Sequence, residues 1–358
     1  MFATLKGALL GPLLGHWRRA NQYHRKSQAA FNRAAKSSSS DICEFLSTAP
    51  TRLTVPLILI SQVSRSGGTL LSQLFDGHPQ IAAHPHELGF GFPSEESWIA
   101  RATTAQETLA RMAEHAHFQF TRSGFSKGEQ QADRFPFLFS AAAQNAVFTK
   151  LWQSAPPKND RDCADIYFSS YFQAWLNYHQ SLAETRYVTA FQPRFANRTE
   201  KVDAFFAAYP DGYLLQVLRD PWTWYASAQK NQRWIKKRST PEGILKEWIG
   251  STEAILRNVS AYPHRVIVVH FDSLLNSTEQ TMRDLCRILN LDFLPSMLKP
   301  TFNGNLMTAN SSYAVPRAGI IEAPSDRAKQ LIRSQKEMID VRCEELYESA
   351  LSKVDCCA

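Results

Sequence analysis

The stretch LILISQVSRSGGTLLSQLFDGHP, Leu57–Pro79, limits the fold more than any other part of the chain. An apolar run suited to a buried strand passes into a glycine turn, then into a helical repeat of Leu70, Leu71 and Leu74. That order gathers several backbone N–H groups and the positive end of a helix dipole around one point, where an anion is favoured. Loops that hydrolyse ATP set a lysine just before the Ser/Thr that opens the helix. Here Gly68 stands in the lysine's place ahead of Thr69, and the nearest cation is Arg65. Gly77 and Pro79 form a normal stop for the helix. A strand–turn–helix without a ligand is the bland alternative, and the arginine beside the glycines favours the anion site.

The rest of the chain repeats the strand–helix alternation. Apolar β-type runs occur at 57–63, 146–152, 187–191, 213–218 and 266–270, with helical periodicity at 201–209, 243–258 and 279–291. Strands alternating with helices predict a mostly parallel sheet covered on both faces. The expected fold class is α/β, a P-loop-like three-layer sandwich with a central, mostly parallel sheet flanked by helices. Residues 1–50 are basic and Ala/Ser-rich and read as a helical arm and linker; 51–358 read as one catalytic-size domain. A charged helix over 325–352 closes it, with Ser325 after Pro324 as the expected N-cap.

A second motif lies in YPDGYLLQVLRDPWTWYASA, Tyr209–Ala228. Arg219 falls just past the C-terminal end of a strand, where ligands of open α/β sheets bind. Asp220 is placed to cap the next helix and Pro221 suits its first turn. Ser227 follows about two helical turns after Arg219. The fork of donors on Arg219 suits a dianionic phosphate; a structural Arg219–Asp220 pair is the alternative.

Two motifs carry a family likeness. Ser64-Arg65-Ser66-Gly67-Gly68-Thr69-Leu70-Leu71, followed by His78-Pro79, resembles the 5′-phosphosulfate loop of sulfotransferases that use 3′-phosphoadenylyl sulfate (PAPS). Arg219-Asp220-Pro221 with Ser227 resembles their 3′-phosphate motif. The family usually has proline at 64 and threonine at 68; Ser64 and Gly68 are departures, and the hydroxyl of a threonine at 68 is lost. Residues 300–304 and 309–313 are similar to the C-terminal signature of a broad carbohydrate and general subgroup, and Arg317-Ala318-Gly319 to its nucleotide-closing loop. The likeness spans about residues 55–320.

The resemblance implies transfer of a sulfuryl group from PAPS to a hydroxyl or amine, with PAP as product and no metal. It assigns cofactor binding to Arg65, Ser66, Gly67, Gly68, Thr69, Leu70, Arg219, Ser227 and Arg317. Arg65 also sits where charge develops on the leaving phosphate. Glu87 is the first candidate for the base and His86 the second, because related enzymes often place a glutamate about a strand beyond the first helix. Lys150 is expected near the end of a strand, facing the sulfuryl group or snorkelling at a sheet edge. Arg194 stands where many members have a Lys-x-Pro lysine. A catalytically silent nucleotide-binding protein of the same fold is one alternative; a P-loop kinase or NTPase is another, weakened by the missing lysine.

Net charge is +7, with a local cluster at Lys230, Arg233, Lys236, Lys237 and Arg238. This suits PAPS and an acceptor such as an anionic glycan, and no aromatic–basic interleaving points to nucleic acid. The six cysteines are scattered without CxxC spacing, so a reducing, cytoplasmic setting is expected. Four Asn-x-Ser/Thr sequons, at Asn197, Asn258, Asn276 and Asn310, would matter only in a secreted protein. The apolar run from Ala8 to Leu14 is too short to span a bilayer, which takes about 20 residues. Peripheral membrane contact through this arm is the remaining membrane expectation.

Overall fold

The computed structural model describes residues 49–88, 101–113, 118, 121–122, 137–230, 240–307, 319, 321 and 328–355, apart from the side chain of His86. The expectations placed on the N-terminal arm, on Arg233 to Arg238, on Asn310 to Tyr313, on Arg317 and on Ser325 lie outside these residues.

The chain divides into two compact units. One comprises Pro56–His84 and Glu184–Ala358. It is built on a five-stranded sheet of β1 (Leu57–Ser61), β2 (Ile81–Glu87, whose residues from Pro85 on are counted with the other unit), β3 (Tyr187–Phe191), β4 (Tyr213–Leu218) and β5 (Val266–His270), in the order β2-β3-β1-β4-β5. The pairs β1–β3, β1–β4 and β4–β5 are parallel. Every residue of β1 is buried, as a central strand covered on both faces requires. Alternation along the strands feeds two cores. Ile58, Ile60, Leu215, Val217, Ile267 and Val269 pack with Leu71, Leu74, Leu285 and Leu289. Leu218 and Val268 pack with Trp224, Trp248 and Ile255 on the other side.

The helices of this unit follow their strands: α1 (Gly68–Phe75), α5 (Thr199–Ala208), α6 (Pro221–Gln229), α7 (Pro241–Ala261), α8 (Phe271–Asn276), α9 (Thr278–Leu289) and α10 (Arg333–Leu351). A short hairpin, β6 (Thr301–Phe302) and β7 (Asn305–Leu306), sits between α9 and α10. The Thr301 hydroxyl bonds to Asp76 just after α1, at 2.8 Å. The last helix begins at Arg333 with Ile332 as its N-cap, and the Ile332 N–H donates to Gln335 Oε1.

The other unit holds Pro85–Ala183 and the chain up to Val55. Its helices are α2 (Ala105–Ala113), α3 (Ala141–Ser154) and α4 (Asp160–Ala174). Helix α3 corrects one expectation: the run 146–152 is helical, not a strand. Its buried residues Gln144, Phe148, Leu151 and Trp152 recur at helical spacing. A seven-residue window is too short to tell that spacing from a buried strand. Ser140 caps the helix by accepting from the Ala143 N–H. Lys150 is therefore an exposed helix residue rather than a strand-end lysine. Helix α4 brings Tyr167, Tyr171 and Phe172 into a cluster with Trp175, Phe137 and Phe139. Beside it, Arg122 bonds to Gln144 Oε1 at 2.7 Å and lies over the Phe118 ring. Burial lowers its pKa to about 10.

Strand β2 was not expected from the sequence. Pro85 lies within it, and β2 is at the edge of the sheet, where a proline removes no ladder bond that a neighbour needs. Three buried cysteines, Cys163, Cys286 and Cys343, are free thiols whose pKa values burial raises to about 12, 11 and 12. Such thiols are inert packing groups. Among the described residues no helix is long and apolar enough to cross a membrane.

His78, between α1 and β2, fixes a pH dependence. Its Nδ1 accepts from the Gln80 N–H at 3.1 Å, so Nε2 carries the proton that reaches the Asp292 carbonyl at 2.7 Å. Burial lowers its pKa, against a smaller upward effect of Asp292. His270, bonded to the Tyr347 hydroxyl, is also lowered by burial. The unfolded chain thus takes up protons first, and folding stability falls as pH drops from about 6.5 toward the folded pKa values. The expected loss is at most about 1.4 kcal/mol per pH unit for each histidine. Denaturant unfolding at pH 7.5, 6.5 and 5.5 checks this: His78→Gln should lose less stability on acidification than the wild type, and an equal loss would refute it.

Candidate active site

The glycine loop is held by four consecutive residues. The Gln62 carbonyl accepts from the Arg194 N–H at 2.9 Å, and the Val63 N–H donates to Ser251 Oγ on α7 at 3.1 Å. The Ser64 carbonyl accepts from Trp224 Nε1 on α6 at 3.0 Å. The Arg65 carbonyl accepts from Arg219 Nη1, at the end of β4, at 2.6 Å. Each bond comes from a different segment of the unit. The chain enters the turn at a fixed place and angle, because none of these four groups is left to choose its partner.

The turn itself uses left-handed backbone at Arg65, φ 78°, and at Gly67, φ 87°. Glycine adopts this freely, and an arginine at such an angle is strained by about 1–3 kcal/mol. The bond to the Arg65 carbonyl helps hold that conformation. Left-handed residues alternating with others turn successive N–H groups toward one concavity, the usual backbone geometry for an anion. Gly67 is the N-cap of α1 and has no side chain to satisfy the first N–H groups of the helix. Its hydrogen faces Phe271, and a Cβ there would come within 2.5 Å of the ring.

Position 68 is glycine for a different reason. Its φ is ordinary, but the Gln62 carboxamide lies against it, and a Cβ would overlap Nε2, Cδ and Oε1 of that side chain. The sequence showed only a lost hydroxyl at 68. In the fold a polar side chain from the strand side fills the space.

Arg219 is nearly fully buried. Besides the loop carbonyl it bonds to Thr223 through Nε to Oγ1 and Nη2 to the carbonyl, and its guanidinium lies 4.5 Å from the centre of the Phe271 ring. Its own carbonyl accepts from Trp248 Nε1 at 2.8 Å. Asp220 does not pair with Arg219 in these contacts. It caps α6 by accepting from the Thr223 N–H at 2.7 Å and also from the Thr223 hydroxyl, and Pro221 occupies the first turn as expected. Ser227 is buried two turns along the same helix.

Arg65, Ser66, Gly67, Gly68, Thr69, Leu70, Arg219 and Ser227 thus all belong to the sheet-bearing unit, and the arginine bond joins the two motifs directly. Glu87 and His86 end β2 and belong to the other unit. Arg194, the expected stand-in for a lysine, has left-handed backbone, lies about half-exposed and pairs at 3.9 Å with Glu247. No cluster of His, Cys, Asp or Glu suited to a metal occurs among the described residues. Sequence reasoning missed Gln62, Ser251, Trp248 and Phe271. Only Gln62 left a trace, a polar residue ending an apolar strand run immediately before the loop.

Replacing Arg219 with Met would keep the side-chain stem and remove its hydrogen bonds to the carbonyls of Arg65 and Thr223. We expect a loss of about 2–5 kcal/mol in urea unfolding, since bonds to a charged donor contribute about 1.5–3 kcal/mol each. Amide exchange at residues 65–69 should accelerate more than in β3. Trp224→Phe, which removes one donor from the Ser64 carbonyl, should cost about 1–3 kcal/mol.

A sequence model of the sulfotransferase family matches residues 56–295, more than half of the chain. No curated relative matches in sequence. Among solved structures, the chain is similar to the sulfotransferase domain from the curacin biosynthetic pathway, at 17% identity and TM-score 0.47, over 82% of this chain and 99% of that one. It is likewise similar to the sulfotransferase domain of the Synechococcus PCC 7002 olefin synthase, at 17% identity and TM-score 0.47, over 84% and 97%. A retinol dehydratase solved in complex with retinol and PAP matches at 11% identity and TM-score 0.35, over 87% and 84%. By the match of its sequence over more than half of its length, this chain belongs to the sulfotransferase family.

Proposed function

We propose that this enzyme holds PAPS across its two phosphate motifs and transfers the sulfuryl group to a hydroxyl or amine of an anionic acceptor, such as an acidic glycan. The observation that carries this reading is the 2.6 Å bond from Arg219 to the Arg65 carbonyl, which draws the two motifs into one cradle. In it, the N–H groups from Ser66 to Leu70 and the head of α1 face the 5′-phosphate, and Arg219 with Ser227 serves the 3′-phosphate. Arg317 closes over the nucleotide in the same reading.

The chemistry is an in-line displacement. An acceptor oxygen or nitrogen attacks sulfur as the bond from sulfur to the 5′-phosphate oxygen breaks. The acceptor proton passes to the base, and the negative charge gathers on the PAP phosphate. Arg65 and the helix dipole stabilise that charge. Glu87 is the base of this proposal and His86 the alternative.

The basic stretch Lys230–Arg238 supports an anionic acceptor; Lys230, its described member, is exposed at the end of α6. Calorimetry with PAP, followed by labelled PAPS and a panel of acceptors, tests the whole reading. Glu87→Gln should lower turnover by at least about 100-fold, the usual range for a general base, and leave PAP affinity intact. Full turnover in both Glu87→Gln and His86→Ala would remove the base assignment. Acceptor KM should rise steeply between 50 and 300 mM salt; a flat response would count against an anionic acceptor.

A further inference from the structure

Two buried polar side chains flank the glycines of the loop without any hydrogen-bond partner. The oxygen of the Gln62 carboxamide has none, and neither has the Ser66 hydroxyl. Gln62 is 4% exposed and Ser66 0%. Buried polar atoms are nearly always paired, and one that is not calls for a partner such as a water, an ion or a ligand. Gln62 follows β1 directly, its backbone is held by the Arg194 N–H, and its carboxamide packs on Gly68 at the start of α1. It stays in that place because position 68 has no side chain.

We propose that Gln62 is a binding residue of the loop, donating from its carboxamide N–H2 to the 5′-phosphate end of the nucleotide. This rests on the reading of the enzyme as PAPS-binding. An anion brings only acceptors. The two ends of a carboxamide exchange by rotation about its last torsion, so the N–H2 end turns to the anion when it binds. Ser66 Oγ–H is the second side-chain donor. Gly68 and Gln62 then act as one unit: the glycine leaves the space, and the carboxamide supplies the polar group that a side chain at 68 would otherwise bring.

The test is calorimetry on the full chain with PAP and with 3′-AMP, which lacks the 5′-phosphate. Gln62→Met keeps the volume and removes the donor. We expect its PAP affinity to fall about tenfold, in line with a lost hydrogen bond to a charged group, with 3′-AMP affinity unchanged. Gly68→Ala should displace the carboxamide and give a similar loss, and the double variant should lose no more than either single one. Gln62→Glu, of the same shape but anionic, is the second variant and should weaken PAP further than Met does. Thermal melts without ligand establish that each variant is folded.

Wild-type PAP affinity in Gln62→Met or in Gln62→Glu would overturn the proposal. So would equal losses for PAP and 3′-AMP, which would place the effect away from the 5′-phosphate. A wild type that binds no PAP would instead overturn the nucleotide reading, and this proposal with it.

Discussion

The hydrogen bond from Arg219 to the Arg65 carbonyl is the contact on which the site depends. An arginine with left-handed backbone in a turn is a strained arrangement, and here a buried guanidinium accompanies it. The guanidinium is fixed in turn by Thr223 and by the Phe271 ring, and the Arg219 backbone by Trp248. Phe271 also closes on Gly67. One cation therefore ties the ends of β1, β4 and β5 at a single edge of the sheet. Phosphate loops work by pre-organised N–H groups, and pre-organisation requires that the neighbouring backbone groups are already satisfied. The bonds at Gln62, Val63, Ser64 and Arg65 do this without using the N–H groups from Ser66 onward.

The two glycines of the loop have different physical reasons. Gly67 is required by its backbone angle and by the closeness of Phe271. Gly68 has ordinary backbone and is required by a neighbour's side chain. Read in sequence the pair looks like one flexible turn. In the fold it is one conformational requirement beside one steric requirement. The departure at 68 from the family's usual threonine is thus matched by Gln62, the residue that follows β1.

Much of the sheet-bearing unit was legible in the chain. Four strand runs and the helices after them lie within a few residues of their expected places, because buried parallel strands are nearly continuous apolar runs and their helices show clear 3.6-residue spacing. The errors have local causes. The run 146–152 is apolar enough for a strand, and only the longer spacing from Gln144 to Trp152 reveals a helix. Strand β2 carries Pro85 and two histidines and offers no apolar run, yet pairing at the sheet edge makes it a strand. The final helix starts at Arg333 because its cap is formed by Gln335 reaching back to Ile332, a contact that no N-cap residue type announces.

By itself the sequence determined four of the five strands of the sheet, the glycine turn, the Arg219-Asp220-Pro221 junction and the family, since each depends on neighbours within one strand–helix unit. The tertiary structure alone decided which groups hold the turn: Arg194, Ser251, Trp224 and Arg219 lie 100 or more residues from it along the chain. It also decided that Arg219 braces the loop rather than pairing with Asp220, and that Gln62 fills the space at Gly68. Local residue types fix local backbone, whereas partners brought together by parallel strand pairing depend on a sheet order that adjacent residues do not encode.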